Sequence, residues 1–183
     1  MQRPSVIDIR DGRLQRPPAY ADVDGGVAND ENWRLHPMSH VRRFDHVGIT
    51  VADLDSATAF FVGLGLEIEG RMFLQGEFVD TVIGIPDSLS EIVMLRPPDG
   101  GAGLELSSFL RPDHEPGSPA AMSTELGLRN VAFEVDDLQA AVDRLAADGY
   151  GLVGGVGQYE NVWRMAYVRG PEGIIVSLAE RIG

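Results

Sequence analysis

Apolar and polar side chains begin to alternate near residue 43, and the pattern recurs in two blocks. Across 43–51, Val47, Ile49 and Val51 form one face, while His46, Gly48 and Thr50 fall on the other. This is the period-two signature of a strand with one buried side. The period then changes. Asp53 is placed to cap a helix whose apolar stripe is Leu54, Ala57, Phe60, Phe61 and Leu64, with Gly65 just beyond it. Three more strands are expected near 67–74, 91–96 and 104–109, with the turn Pro97-Pro98-Asp99-Gly100 before the last. The stretch 75–90 reads as a longer, less regular connection placed to lie over a pocket.

The second block repeats this order in fewer residues. Arg129, Val131, Phe133 and Val135 share one strand face; Leu128, Asn130, Ala132 and Glu134 share the other. Asp137 is placed to cap a helix with the stripe Leu138, Ala141, Val142 and Leu145, and Gly149 follows it. Strands are expected near 151–156, 163–169 and 173–179, with the turn Gly170-Pro171-Glu172-Gly173 before the last. Both blocks therefore read β-α-β-β-β. The domain plan is a first module at 41–110, a three-proline linker at 111–126 and a second module at 127–183. Residues 1–40 lack this periodicity and carry Pro17-Pro18 and Gly25-Gly26, so a flexible arm is expected, with a weak strand at 5–9. Met38 directly precedes the patterned region, and translation from it is one reading of the arm; packing on a partner subunit is the other.

Composition narrows the class of protein. The 183 residues are 44% hydrophobic and suit one compact domain or two small modules sharing a core. No cysteine is present, which removes disulfides, zinc knuckles and thiol nucleophiles. A formal charge of −13 argues against nucleic-acid binding, and the acidic residues are spread as on a solvated surface. No apolar run resembles a signal peptide or a membrane span, so a cytoplasmic protein without membrane contact is expected.

The two blocks together resemble the vicinal oxygen chelate superfamily, which includes glyoxalases, epimerases, fosfomycin- and bleomycin-resistance proteins and extradiol dioxygenases. The resemblance is carried by Asp45-His46-Val47-Gly48-Ile49 with Asp53-Leu54, by Leu104-Glu105-Leu106, by the run from Val131 through Leu138, and by Gly170-Pro171-Glu172-Gly173 leading into Ile175-Val176-Ser177-Leu178. It covers about three quarters of the chain. It implies an α+β fold of two βαβββ modules whose curled mixed sheets form a cup-shaped half-barrel. It also implies a divalent metal held from the first and last strand of each module, and a homodimer. Carried over position by position, the metal slots are His46, Glu105, Asn130 and Ser177. His46 and Glu105 match the His, Gln and Glu of glyoxalase-like members; Asn130 is a weak match, and Ser177 departs from it.

All four positions fall on the strand face opposite the aliphatic one. Imidazole and carboxylate together suit Zn, Ni, Co, Mn or Fe(II). An amide oxygen is a weak third ligand and a serine hydroxyl a poor one, so a metal held here is expected to bind weakly. Without a metal, a His46–Glu105 contact would satisfy both groups, and Asn130 and Ser177 would be polar lining. Further expected pocket residues are Thr50, Phe109, Tyr159, Trp163 and Arg164, the last to bind an acidic group on a small-molecule substrate.

Two function classes follow. One is a metal-dependent lyase, isomerase or epimerase acting on adjacent oxygens through an enediolate-like intermediate, with Glu105 and His46 catalytic. The other is a metal-free binding or sequestration protein of the bleomycin-resistance kind. An extradiol dioxygenase would need two histidines and a carboxylate in one module, and the second module has no histidine.

Overall fold

In the computed structural model, which describes residues 41–183, the first module opens with strand β1 (His46–Thr50) and helix α1 (Leu54–Gly63). The arm expected over 1–40 lies outside the described residues. The Asp53 side chain accepts the Ser56 N–H at 2.9 Å and so starts α1 as its sequence position predicts. The helix is closed by Gly65 at φ 104°, where the Leu66 N–H reaches back to the Phe61 carbonyl. Strand β2 (Glu67–Gln75), helix α2 (Glu77–Ile83), strand β3 (Leu89–Arg96) and strand β4 (Gly103–Arg111) complete the module.

The second module repeats the scheme with β5 (Val131–Glu134) and α3 (Leu138–Ala147), which is capped by Asp137 on the Ala140 N–H. Gly149, at φ 92°, closes α3 as Gly65 closes α1. The single strand expected at 151–156 is instead two short pieces, β6 (Gly151–Leu152) and β7 (Gly157–Tyr159), parted around Gly154-Gly155. Paired glycines favour neither a ladder nor side-chain packing. Strand β8 (Trp163–Arg169), a short turn of 3₁₀ helix (Pro171–Gly173) and β9 (Ile175–Arg181) follow.

Each module is one mixed sheet. The first has order β1-β4-β3-β2; the second has β5-β9-β8-β6, with β7 also paired to β8. The first strand of each module runs parallel to its last, and the remaining pairings are antiparallel. Neither sheet closes into a barrel.

Helices α1 and α3 share one continuous core with the inner faces of both sheets. Val93, Leu95, Leu104 and Leu106 come from the first sheet; Ala166, Val168, Val176 and Leu178 come from the second. Phe60 and Phe61 of α1 make edge-on contacts with Tyr150 and Phe133 of the second module, at centroid distances of 4.9 and 6.3 Å. A polar tie reinforces this packing. The Glu172 carboxylate accepts the Ala52 and Asp53 N–H groups at 2.7–2.8 Å, across 119 or 120 residues of chain. The linker is also held: Arg169 donates to the carbonyls of Pro119 and Ala121, both at 2.9 Å. Among the described residues, no helix is long and apolar enough to cross a membrane.

Candidate functional site

Strand pairing decides which side chains share a surface, because residues opposite one another in a ladder point the same way. In the first sheet the inner face is Val47 and Ile49 against Leu104 and Leu106. His46, Gly48 and Thr50 on β1 therefore lie on the outer face, with Glu105, Ser107 and Phe109 on β4. Glu105 sits opposite Gly48 on one side and Met94 on the other. A Cβ added at Gly48 would meet nothing within 4 Å, so the ground beside the Glu105 carboxylate is open.

Within this face, His46 is bracketed by two carboxylates. Its Nδ1 is 2.9 Å from Asp45 Oδ2, and its Nε2 is 4.0 Å from Glu105 Oε2. An ionised carboxylate can only accept, so Nδ1 carries the proton that Asp45 receives. Nε2 is then the ring nitrogen left on the side of Glu105. The side chains of His46 and Glu105 are 36% and 28% exposed, which keeps both within reach of a ligand from solvent. Bonds from a first-row divalent ion to nitrogen or oxygen run roughly 2.0–2.2 Å, so the span between these two donors is within reach of one ion. Drawn slightly closer, the pair could supply two ligands of a divalent metal, with water or substrate completing the site. Among the described residues, no group of three or more His, Cys, Asp or Glu comes together to hold an ion.

The matching positions of the second module have a different character. Asn130 precedes β5, and Ser177 pairs with Ala132 on β5 and Tyr167 on β8. Ser177 is on the outer face by alternation, since its neighbours Val176 and Leu178 are in the core. It is only 3% exposed, however, and so is not presented to solvent as His46 and Glu105 are. Asn130 lines a cavity between the edges of β1 and β5, together with Thr50. The structure thus brings His46 and Glu105 together, and separately Thr50 and Asn130.

The remaining predicted pocket residues divide between the two faces. Phe109 shares the Glu105 face of the first sheet. Tyr159 and Trp163 are paired with each other and share the Ser177 face of the second. Arg164 turns the other way, on the side of Ala166 and Val168, and donates to Glu180 at 3.3 Å. Glu180 also accepts the Leu138 N–H, so Arg164 is tied through it to the start of α3. The expectation of an irregular connection at 75–90 is likewise corrected, because α2 occupies its first half. Its β-branched Val79, Thr81, Val82 and Ile83 give weak helical propensity, and Phe78 is 80% exposed, so no amphipathic stripe marks it.

Asp45, which orients His46, and Glu172, which joins the modules, were not singled out by pattern. Asp45 is adjacent to a candidate ligand, a position where a supporting acceptor is worth looking for. The sequence marks Glu172 as part of a turn but not as a tie between modules, because its partners are 119 and 120 residues away.

Known proteins share this fold. A glyoxalase family protein from Bacillus cereus is 42% identical, with 80% of this chain and 99% of that one covered and a TM-score of 0.77. A glyoxylase/bleomycin resistance protein/dioxygenase domain from Frankia shares the fold at 20% identity, with 79% and 93% covered and a TM-score of 0.54. The trypanothione-dependent glyoxalase I of Leishmania major does so at 20% identity, with 76% and 87% covered and a TM-score of 0.53. No curated protein sequence matches the chain. Residues 45–167 match the family model for this group, from the strand that carries His46 through most of the second sheet. With paired βαβββ modules, the model match and the Bacillus cereus relative in agreement, the chain belongs to the glyoxalase/bleomycin resistance protein/dioxygenase superfamily.

Proposed function

We propose that the protein is a divalent-metal-dependent lyase, isomerase or epimerase acting on a small substrate with adjacent oxygens. The observation that supports this best is the ordered His46: Asp45 on one ring nitrogen, Glu105 facing the other. With Nδ1 engaged by Asp45, Nε2 is the ring nitrogen left for a ligand, and it lies on the same open face as Glu105. A metal held by His46 and Glu105 would polarise a substrate carbonyl and stabilise the charge that develops on its oxygen. Glu105 would take the proton from the carbon beside that carbonyl, the bonding pair moving to the carbonyl oxygen. It would give the proton back either to the same carbon, which inverts it, or to the neighbouring one, which isomerises the substrate as the hydroxyl proton passes through water from one oxygen to the other. The open ground at Gly48 lets the substrate come alongside the carboxylate. The Bacillus cereus relative, described as a glyoxalase family protein, is consistent with this class of chemistry.

A second reading, metal-free binding of a small molecule, is favoured by the second module, where Ser177 is buried and Asn130 is neutral. Metal analysis of the purified full chain separates the two. The enzyme reading expects about one Zn, Ni, Co, Mn or Fe(II) per site to be carried or taken up, and His46→Ala to abolish uptake. Absence of metal, together with a thermal midpoint unmoved by any of these ions, would leave the binding reading standing.

A further inference from the structure

The edges of β1 and β5 face each other across a cavity of about 300 Å³. It lies where the two modules meet and contains neither His46 nor Glu105. Ile49, Leu128, Val131 and Ile174 give it apolar walls. The charged groups that line it are Arg129 and Glu172. Glu172 is committed, since both its carboxylate oxygens accept backbone N–H groups of Ala52 and Asp53. Arg129 is not. Its nearest carboxylate is Glu125, 4.0 Å from Nη1, beyond hydrogen-bonding distance. Its Nε is buried and has no hydrogen-bond partner, and it is the one such buried side-chain atom among the described residues.

Nε itself is closed to solvent, so a ligand in the cavity would meet the remainder of the guanidinium, whose side chain is 29% exposed and which pairs best with a carboxylate. The cavity is at the small end of the range for ligand sites. We propose that this junction cavity is a binding site for a small organic carboxylate. Its charged head meets Arg129, its short apolar body lies against Ile49 and Leu128, and the Asn130 amide and Thr50 hydroxyl serve as neutral partners. The chain's net charge of −13 opposes anions at long range. That field is largely screened beyond about 8 Å at physiological salt, so a local cation can dominate. The site does not depend on the metal reading above.

The test compares hexanoate with its neutral counterpart hexanamide, titrated into the full chain after dialysis against EDTA and followed by backbone NMR. Hexanoate should shift the Gly48, Val131 and Gly173 amides and bind at least about ten-fold tighter than hexanamide. Arg129→Gln should erase that preference, and Arg129→Lys, which keeps the charge, should retain part of it. Equal affinities for acid and amide would overturn the proposal. So would a preference that survives Arg129→Gln, or shifts that map away from the cavity. Because metal is absent throughout, failure here says nothing against metal at His46, and failure to find metal says nothing against the carboxylate site.

Discussion

At the scale of single residues, the chemistry depends on how firmly one imidazole is held. His46 is on an edge strand and more than a third exposed, a setting in which a ring is ordinarily free to turn. Asp45 removes that freedom through a 2.9 Å hydrogen bond to Nδ1. Removing this acceptor with Asp45→Ala would leave the ligand in place while freeing its tautomer and orientation. Metal affinity is then expected to fall about 10- to 100-fold, the usual cost of losing a partner behind a ligating histidine. Competitive titration against a metal indicator dye measures it, and affinity equal to that of the parent would mean Asp45 does not position the ring. The resemblance singled out His46 and Glu105, and alternation set both on the face opposite Val47, Ile49, Leu104 and Leu106, which is where the ladder places them. For Arg164 alternation is silent, since it does not say which face of an amphipathic strand meets the helix. Only the ladder to β9, with Glu180 opposite, settles that.

At the scale of elements, α2 is the piece that pattern missed and local hydrogen bonding explains. Gly76 and Gly84 bound it, and none of its residues is buried. What holds it is Asp80, whose carboxylate accepts the Ser88 hydroxyl and the backbone N–H groups of Asp87 and Ser88 at 2.6–2.9 Å. The Ser88 hydroxyl first, then these N–H groups, hold the Asp80 carboxyl below its ordinary value, with Arg111 adding a smaller attraction. A carboxyl whose pKa is depressed on folding stabilises the fold above the unfolded-state value, about 3.9 for Asp. That contribution is lost as pH falls through the lower folded value. The join between α2 and β3 should therefore stay protected at neutral pH and loosen below about pH 4. Amide exchange at Asp87 and Ser88 reports it directly. Asp80→Ala should show the loosened behaviour already at pH 7, and unchanged exchange in that variant would discount the staple. The regular elements were legible where caps and stripes agree, as at Asp53 with α1 and Asp137 with α3. They were not legible where side-chain bonds over seven or eight residues replace burial.

At the scale of the whole molecule, the duplication visible in the sequence becomes two sheets welded through their helices. The repeat announced the modules; the weld depends on contacts between residues some 70 to 120 positions apart, which no periodicity encodes. Phe61 is its centre. It is fully buried, 5.1 Å from the Phe60 ring and 6.3 Å from Phe133 in the other module. If each module were a separate folding unit, losing this ring would chiefly harm the first. The shared core argues otherwise, because the cavity left behind would open onto residues of both sheets. Phe61→Ala should cost about 3–5 kcal/mol, the range for deleting a buried aromatic ring. That is a large fraction of the stability of an ordinary domain. It should also shift one cooperative transition, with Val93 in the first sheet and Val168 in the second losing amide protection at the same denaturant concentration. Separate transitions for these two strands would mean that the modules fold independently, and that the carboxylate cavity between β1 and β5 is held by the Glu172 tie alone.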